Sequence, residues 1–481
     1  MYLPSAEPLS AIRMRLNTVP SGLVPSSLLA CPRYVNQTLR QNAPATVTSA
    51  RQRTASPGSI GLVTTSTHHL KGAAVIGVFL CFAFAYLMSF GMRAVTAVIA
   101  PELVRDFGLS NAQLGFLGSA YFLAFAAMQL PLGILLDRFG SRRVHAVLLM
   151  FAALGCWLFA SASSYTELWL GRALIGAGVA GGLMSALKAF RFWYPADRQQ
   201  SLAAWILMSG SLGALLVTVP ARWAIELLSW RWVFWGGASL FMVAAIIIWL
   251  GLPRDEEQNS ARGAAGSSVA ELIAGYRQVF RDPFFWRFAM MSLFAHSVSS
   301  ALTTLWTGPW LMNVNGFSAD HAAQVLLLIN LAALLGFLGV GAVQPWIRAQ
   351  GWSIQAICAC STTVAIGAQL LLALVPSTAI WPVWLVYAMT ATFFSMVQPY
   401  VGLAFPAALS GRALTGYNLL VFSGTFGWQW IYGVLIDVYR ATGQTDAAAY
   451  RATMLTAVAV QVTALIVFLL WRPKPPAERK T

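Results

Sequence analysis

Arg93, Arg172 and His296 can carry a charge and lie well inside long apolar segments of this sequence. A guanidinium in hydrocarbon is costly, stays charged at physiological pH and is satisfied by an anion or by backbone carbonyls. An imidazole titrates near neutral pH and can relay a proton or simply pack. No Asp or Glu falls in the middle of an apolar segment, so a buried carboxylate is not expected to carry protons. These residues indicate the binding of an anion.

Other functional classes lack the residues that they need. The five cysteines and five histidines have no metal-ligand spacing, and no nucleophile, base and acid are grouped. We therefore expect no metal, no cofactor and no enzymatic activity. The net charge of +15 comes mainly from the chain ends, because residues 1–71 and 472–481 supply +6 and +3. Since no basic face is interleaved with aromatic residues, nucleic acid is not an expected partner.

The composition is that of a chain that lives in a lipid bilayer. It is 58% hydrophobic and only 10% charged, whereas soluble domains carry about 25% charged residues. Twelve apolar segments are each long enough to cross the hydrocarbon layer as a helix. Because none alternates as a barrel strand does, we predict an all-α polytopic membrane protein. Spans 1 to 12 are predicted at residues 72–99, 112–136, 144–162, 168–193, 200–222, 231–251, 284–308, 320–343, 353–375, 381–403, 415–438 and 448–471.

Positive charge predicts the orientation. With both chain ends in the cytoplasm, 24 of the 31 Lys and Arg residues lie on the cytoplasmic side, five lie outside and two lie within spans. Because loops rich in Lys and Arg stay in the cytoplasm, we predict cytoplasmic termini in a bacterial inner membrane. Residues 1–71 are rich in Ser, Thr, Pro and Arg and lack the apolar run of a signal peptide. We expect a disordered basic tail, a start codon assigned too far upstream or an organellar transit peptide.

The chain is predicted to contain two pseudo-symmetric six-helix bundles. Arg198 precedes Gly210 and Gly213 by 12 and 15 residues, and Arg412 precedes Gly424 and Gly427 by the same intervals. We expect these glycines to pack helices, and the repeat to relate the two bundles. The predicted parts are a tail at 1–71, bundles at 72–252 and 284–471, a cytoplasmic central loop at 253–283 with an interfacial helix, and a tail at 472–481.

A cluster of glycines and charged residues follows span 2: Gly133, Asp137, Arg138, Gly140, Arg142 and Arg143. It resembles the signature that the major facilitator superfamily carries between spans 2 and 3, although a merely positive turn would explain the arginines. The resemblance implies a latch for the outward-open state. In the second half Gly341, Pro345, Trp346 and Arg348 resemble a degenerate copy without the Asp. Arg172 resembles a second signature of the family, with a functional or a structural role.

The first span points to the cargo. The stretch from Arg93 to Pro101 is similar to that of the organophosphate antiporters and anion:cation symporters, which implies an arginine that binds phosphate or carboxylate. Organophosphate antiporters repeat this arginine in span 7, but the residue eight before Pro309 is Ala301. One arginine favours a monoanion. The Asp that precedes the arginine in the symporters is Met92 here, and their Glu in span 4 has no counterpart.

Other polar side chains within spans are expected to line a cavity or to bond neighbouring helices. The set that we predict for substrate binding is Arg93, Tyr121, His296, Asn330, Gln398 and Gln429. The expected partners are a small anion and the lipid bilayer, and the expected state is a monomer.

We expect a secondary active transporter that moves a small anion, an organic monocarboxylate, by alternating access. A nitrate/nitrite porter is the nearest alternative cargo, because glycine-rich spans 5 and 11 resemble those porters, but their arginine in span 2 is missing between Ala112 and Leu136. Further alternatives are an exporter of a small metabolite and a non-transporting sensor or assembly factor in which the tail is the working part. Multidrug efflux is disfavoured, because span 5 lacks the glycine-proline pair of drug exporters.

Overall fold

The computed structural model describes residues 73–195, 198–253 and 269–476. The predictions made for residues 1–71, for most of the central loop and for the last five residues lie outside this range. In the first half the helices are Ala73–Phe107, Asn111–Ser161, Tyr165–Val179, Gly182–Trp193, Gln199–Leu227 and Trp230–Gly251. Within the described ranges the chain forms helices and no strands.

The second half begins with the amphipathic helix Val269–Phe280, at the place of the predicted interfacial helix. Its spans run over Pro283–Asn313, Ala319–Ala349, Ile354–Leu374, Thr378–Ala404, Ala407–Ala441 and Asp446–Leu470. Span 7 contains two π-helical turns, Ser292–His296 and Leu302–Trp306. Span 10 contains a 3-10 turn over Thr392–Met396. The sequence predicted none of these three irregular turns.

Helix Asn111–Ser161 has 51 residues and folds back on itself at Gly140, where φ is 77° and ψ is 167°. A Cβ added to Gly176 would lie 2.1 Å from the Tyr121 carbonyl oxygen, and one added to Gly178 would lie 2.3 Å from the Ala152 nitrogen. A straight helix would hold Tyr121 and Ala152 about 46 Å apart. The chain must therefore reverse between them, and glycine adopts the required positive φ without strain.

Eleven helical stretches of the described residues are long and apolar enough to cross a membrane. Since the folded stretch supplies spans 2 and 3, the number of crossings agrees with the twelve predicted from the sequence. Large apolar side chains face outward, and Leu403, for example, is 81% exposed. The chain is a multi-pass integral membrane protein of all-α architecture.

Several helices continue beyond the apolar runs that predicted them. Span 1 reaches Phe107, span 8 reaches Ala349, and span 11 begins at Ala407. Helix ends are set by capping groups, such as the Ser110 side chain that accepts from the Gln113 amide. A hydropathy pattern shows where hydrocarbon ends, so it underestimates helices that project past the bilayer surface.

The two halves meet along a few pairs of spans. Span 2 packs against span 11, span 5 packs against span 8, and span 1 contacts span 7. Aromatic rings of spans 2 and 11 contact each other, and the Phe125 and Phe422 contact, with centroids 4.3 Å apart, lies farthest along span 2. We call the end of the bundle that carries the loop between spans 1 and 2 the outer end, and the opposite end the inner end.

Candidate substrate cavity

A cavity of about 180 Å³ lies between the two halves. Three of the predicted substrate-binding residues line it: Arg93, His296 and Asn330. The other lining residues are Phe90, Ala94, Ser211, Ala214, Ser299, Ser300, Thr303, Thr304, Ile329, Ala333, Phe337, Ala388, Ala391 and Thr392. Arg93 is the charged residue of this set, and no carboxylate lines the cavity within the described chain.

Arg93 is held by aromatic rings. Its Nε donates to the Tyr121 hydroxyl at 3.4 Å, and its guanidinium carbon lies 4.4 Å from the Phe90 ring centroid. Three further centroids lie 5.6 Å away, those of Phe122, Phe125 and Phe422. These faces stabilise a cation without neutralising it. No ion pair forms at Arg93 in the described part of the chain, so its charge is available to an anion.

The wall opposite Arg93 carries hydroxyl groups from span 7. Ser299 and Thr303 are one helical turn apart, as are Ser300 and Thr304, so both pairs fall on the cavity side. Thr303 donates to the Ser299 carbonyl at 2.9 Å, and Thr304 donates to the Ser300 carbonyl at 2.5 Å. Because the Thr303 donor is used within the helix, its oxygen remains as a hydrogen-bond acceptor toward the cavity, whereas the Thr304 oxygen accepts from the Gln429 Nε2 at 2.9 Å. Such a wall can receive the hydroxyl groups of a ligand.

His296 stacks on Phe394, with ring centroids 5.1 Å apart and planes inclined by 10°. Its Nδ1 is buried and has no hydrogen-bond partner among the described residues. The imidazole thus borders the cavity, but no second titratable group continues a proton path from it in the lining.

Arg172 lies beside the cavity and does not line it. Its side chain is 1% exposed, and its Nη1 donates to the Met92 carbonyl at 2.9 Å. The guanidinium carbon lies 5.2 Å from the Tyr121 ring centroid. Arg172 therefore joins span 4 to span 1, and Tyr121 stands between it and Arg93.

The outer end is closed by contacts between the halves, which we call the outer seal. The Asp437 carboxylate of span 11 accepts from the Asn111 Nδ2 at 2.8 Å and from the Ala112 amide at 2.7 Å. Arg222 of span 5 binds Glu102 of span 1 at 2.5 Å and Asp320 of span 8 at 2.7 Å. These groups join the first half to the second above the cavity.

Glycines allow the backbones of the outer seal to meet. A Cβ on Gly115 would lie 2.4 Å from the Gln429 carbonyl oxygen, and one on Gly433 would lie 2.1 Å from that of Asn111. A Cβ on Gly308 would likewise lie 2.5 Å from the Ala97 carbonyl oxygen. Any side chain at these three positions would force the helices apart.

The predicted latch lies at the inner end. The Asp137 side chain is 81% exposed and pairs with Lys188 at 3.1 Å, within the first half. Gly133 and Arg138 are also exposed. Arg142 is buried, and its Nε donates to the Trp249 carbonyl at 2.8 Å. Gly140 forms the chain reversal described above, and Arg143 follows it at the start of span 3. The role of this cluster as a latch stays a prediction.

Three predicted substrate residues lie outside the cavity lining: Tyr121, which accepts from Arg93, Gln398 and Gln429. Gln398 is partly exposed in span 10. Gln429 is buried in the outer seal, where its Nε2 donates to the Thr304 hydroxyl at 2.9 Å and its carbonyl accepts from the Trp306 Nε1 at 3.1 Å. Their part in substrate binding stays a prediction.

Of the four glycines that were expected to pack helices, three meet a neighbour. A Cβ on Gly213 would lie 2.0 Å from the Leu87 carbonyl oxygen. Gly210 lies against the ring of Tyr86, and Gly424 lies against the Ser297 hydroxyl. At Gly427, in contrast, no atom lies within 4 Å of such a Cβ among the described residues.

Comparisons with known proteins identify the family. A family model described as Major Facilitator Superfamily matches residues 82–429. A hexuronate transporter of Escherichia coli strain K12 is 25% identical over 382 residues, which cover 76% of this chain and 82% of that protein. A probable nitrate/nitrite antiporter of Thermus thermophilus is 28% identical over 264 residues, which cover 52% and 57%.

Solved structures share the fold. A bacterial homologue of the human lysosomal transporter Spinster, in an inward-facing and unoccupied conformation, superposes with a TM-score of 0.67 at 18% identity. The match covers 84% of this chain and all of that structure. The family model spans more than half of the sequence, and the helical architecture agrees with it. The chain belongs to the Major Facilitator Superfamily.

Proposed function

We propose that this protein is a secondary active transporter that carries a small organic monocarboxylate across the bacterial inner membrane by alternating access. The observation that carries the proposal is the single guanidinium of Arg93, which faces a cavity between the two halves with no carboxylate in the described lining. An uncompensated cation in a membrane interior attracts an anion strongly.

The charge balance favours a monoanion. Arg93 supplies one positive charge to the cavity, and Arg172 is buried behind Tyr121 with a backbone carbonyl as its partner. A dianion would leave one negative charge unpaired in a medium of low dielectric constant, which is costly. One carboxylate against one guanidinium leaves no net charge.

The hydroxyl wall of span 7 supports a cargo that carries hydroxyl groups of its own. Ser300, Thr303 and Asn330 face the cavity together with Arg93. A sugar acid offers a carboxylate to the guanidinium and hydroxyl donors to this wall. The hexuronate transporter of Escherichia coli has by its name a substrate of this chemistry. We therefore infer a hydroxylated monocarboxylate of the hexuronate class.

The state of the two ends fits alternating access. The outer seal closes one end, while Asp137 at the inner end is exposed and pairs with Lys188 of its own half. In the opposite state the outer seal would open and the Asp137 cluster would engage the second half. The proposed unit is a monomer, because one chain supplies both walls of the cavity. Both termini are proposed to lie in the cytoplasm, because that orientation keeps the loops rich in Lys and Arg on the cytoplasmic side.

Nitrate or nitrite is the second candidate cargo. It is supported by the probable nitrate/nitrite antiporter of Thermus thermophilus among the relatives. A nitrate ion would use the Arg93 charge but would have no donor for the acceptor oxygen of Thr303, whose own hydrogen is used within the helix. This difference allows the two cargoes to be separated by experiment.

The test is uptake into proteoliposomes of radiolabelled galacturonate, nitrate and a neutral hexose. Arg93→Gln is expected to abolish anion uptake, while Arg105→Gln, an equal loss of charge at an exposed site on the outer end, keeps it. Uptake of the neutral hexose that is insensitive to Arg93→Gln would refute an anion site.

A second variant separates the cargoes. Thr303→Val removes a cavity hydroxyl whose hydrogen is already used within the helix, and it should raise the KM for galacturonate several-fold, because one neutral hydrogen bond contributes about 1 kcal/mol. The KM for nitrate should not change. Equal effects on both anions, or an effect on nitrate alone, would contradict the hydroxylated cargo.

A further inference from the structure

A basic pocket lies at the inner end of the second half, apart from the substrate cavity. Its volume is about 410 Å³, and it lies between the start of spans 7 and 9 and the end of span 12. The polar residues that line it are Arg287, Ser353, Gln355 and Arg472. None of these residues lines the substrate cavity.

An apolar groove of about 230 Å³ continues from this pocket between spans 7 and 12. Met290, Phe294, Val460, Ala464 and Val467 belong to its walls. Arg287 and Phe468 line both the pocket and the groove. The pocket and the groove therefore adjoin at these two residues, and we call them together the inner groove, with a charged end and an apolar end.

Arg287 is built into this surface. It is 7% exposed, and its Nε and Nη2 both donate to the Phe468 carbonyl, at 3.1 and 3.0 Å. The Phe468 ring lies under its guanidinium carbon at 4.5 Å. Its Nη1 makes no hydrogen bond among the described residues. The packing thus fixes in place a guanidinium that lines the pocket and keeps one nitrogen without a partner among the described residues.

Arg472 supplies a second cation to the same pocket. Its Nε donates to the Leu469 carbonyl at 2.7 Å. Within the described chain neither Arg287 nor Arg472 pairs with a carboxylate. Two guanidinium groups near one another repel unless an anion lies between them, and paired arginines are well suited to a phosphate group. Among the described residues no carboxylate lines this pocket, so we look for an anion from outside.

The other polar groups of the pocket can donate to the same anion. Ser353 begins span 9, and its Oγ accepts from the Ala356 amide at 3.2 Å, which leaves its hydroxyl hydrogen free to donate. Gln355 donates to the Tyr400 hydroxyl at 2.6 Å, which orients its amide. All of these groups lie where three spans end, at the depth of lipid headgroups.

We propose that the inner groove binds one anionic glycerophospholipid of the cytoplasmic leaflet. The phosphate would lie between Arg287 and Arg472, and an acyl chain would lie along Met290, Phe294 and Val467. The two arginines of the pocket favour an anionic ligand. The adjoining apolar groove favours a ligand in which an acyl chain is attached to that anion. Free phosphate meets the first requirement alone, and a zwitterionic lipid brings a cation next to two arginines.

The test is native mass spectrometry of the full chain with added phosphatidylglycerol or phosphatidylcholine. One phosphatidylglycerol per protein is expected to remain bound after delipidation, and phosphatidylcholine is not. Arg472→Gln should weaken phosphatidylglycerol binding about ten-fold, the effect of losing one charge-assisted contact. Arg105→Gln, with the same charge change at the outer end, should leave it unchanged.

A variant in the apolar end makes the test independent of charge. Ala464→Trp fills the groove and should also reduce binding of phosphatidylglycerol, without altering any cation. Arg287→Gln is expected to reduce binding more strongly, but it also removes two hydrogen bonds of a buried guanidinium to the Phe468 carbonyl and so lowers stability. The Arg472 and Ala464 variants are therefore the decisive ones. Equal phosphatidylglycerol binding by parent, Arg472→Gln and Ala464→Trp would overturn the proposal. Displacement of the lipid by millimolar inorganic phosphate would also overturn it.

Discussion

Asp437 joins the two halves at the outer end, and its replacement by Asn tests the outer seal. Its Oδ1 accepts from the Asn111 amide at 3.3 Å and the Asn111 Nδ2 at 2.8 Å, and its Oδ2 accepts from the Ala112 amide at 2.7 Å. The first amides of a helix have no partner within that helix and carry its positive dipole end. Asp437→Asn keeps the size of the side chain but removes the charge and one acceptor.

The expected effect is a shift between two folded states. Loss of a charge-assisted hydrogen bond costs about 1.5–3 kcal/mol, and loss of a charge at a helix N-terminus costs about 0.3–1 kcal/mol. We expect Asp437→Asn to destabilise the outside-closed state by about 2 kcal/mol relative to the outside-open state. This corresponds to a change of about thirty-fold in their ratio.

Labelling from outside the cell measures that ratio. Ser300→Cys, in a background without the five native cysteines, places a thiol in the cavity. A membrane-impermeant maleimide reaches it from outside only when the outer seal opens, so the labelling rate follows the open population. Asp437→Asn should raise this rate up to about thirty-fold.

Asp446→Asn is the matched control. Asp446 also lies at the outer end, but it pairs with Arg440 at 2.9 Å, within the second half. Its replacement should leave the labelling rate unchanged. The reasoning is refuted if Asp437→Asn labels at the parental rate, or if both variants raise the rate equally.

Further substitutions test the seal, the imidazole and the inner end. Gly115→Ala places a Cβ 2.4 Å from a carbonyl oxygen of span 11 and should also raise labelling of the cavity thiol, whereas the Cβ of Gly427→Ala has no atom of the described residues within 4 Å and should not. Substrate uptake should survive His296→Gln, because the ring packs against a phenylalanine and continues no proton path; loss of the pH dependence of uptake would instead identify a relay. Asp137→Asn should slow exchange of labelled substrate by removing the predicted inner latch, while Lys188→Gln, its partner in this state, should affect exchange less. Equal slowing by both would contradict that role.

The sequence was sufficient for the architecture because length and hydropathy determine what crosses a bilayer. It also placed Gly140 in the turn between spans 2 and 3, where the structure has a positive φ. It did not predict the π-helical turns of span 7, since their residues carry no periodic signal that differs from an α-helix. Nor did it predict helix ends such as Ala349, which lie beyond the apolar run.

The candidate site was predicted in part. Arg93 stood out because a charge in an apolar segment is rare, and the structure places it in the cavity. Ser300 and Thr303 were missed, because hydroxyl side chains are common in membrane helices, where they bond their own backbone. The outer seal was missed for another reason: Asp437 and Asn111 are 326 residues apart, and no local pattern connects them.

The π-helical turn Leu302–Trp306 changes how the two halves should be aligned. Counting eight residues back from Pro101 and Pro309 pairs Arg93 with Ala301, but a π-helical turn accommodates one inserted residue. Removing that insertion pairs Arg93 with Ser300, which faces the cavity, whereas Ala301 is 1% exposed. At this place the two halves then differ in two ways: Ser300 stands where the first half has Arg93, and span 7 contains one additional residue. Ancestral reconstruction of the duplicated unit therefore needs a one-residue gap in span 7 to compare like positions.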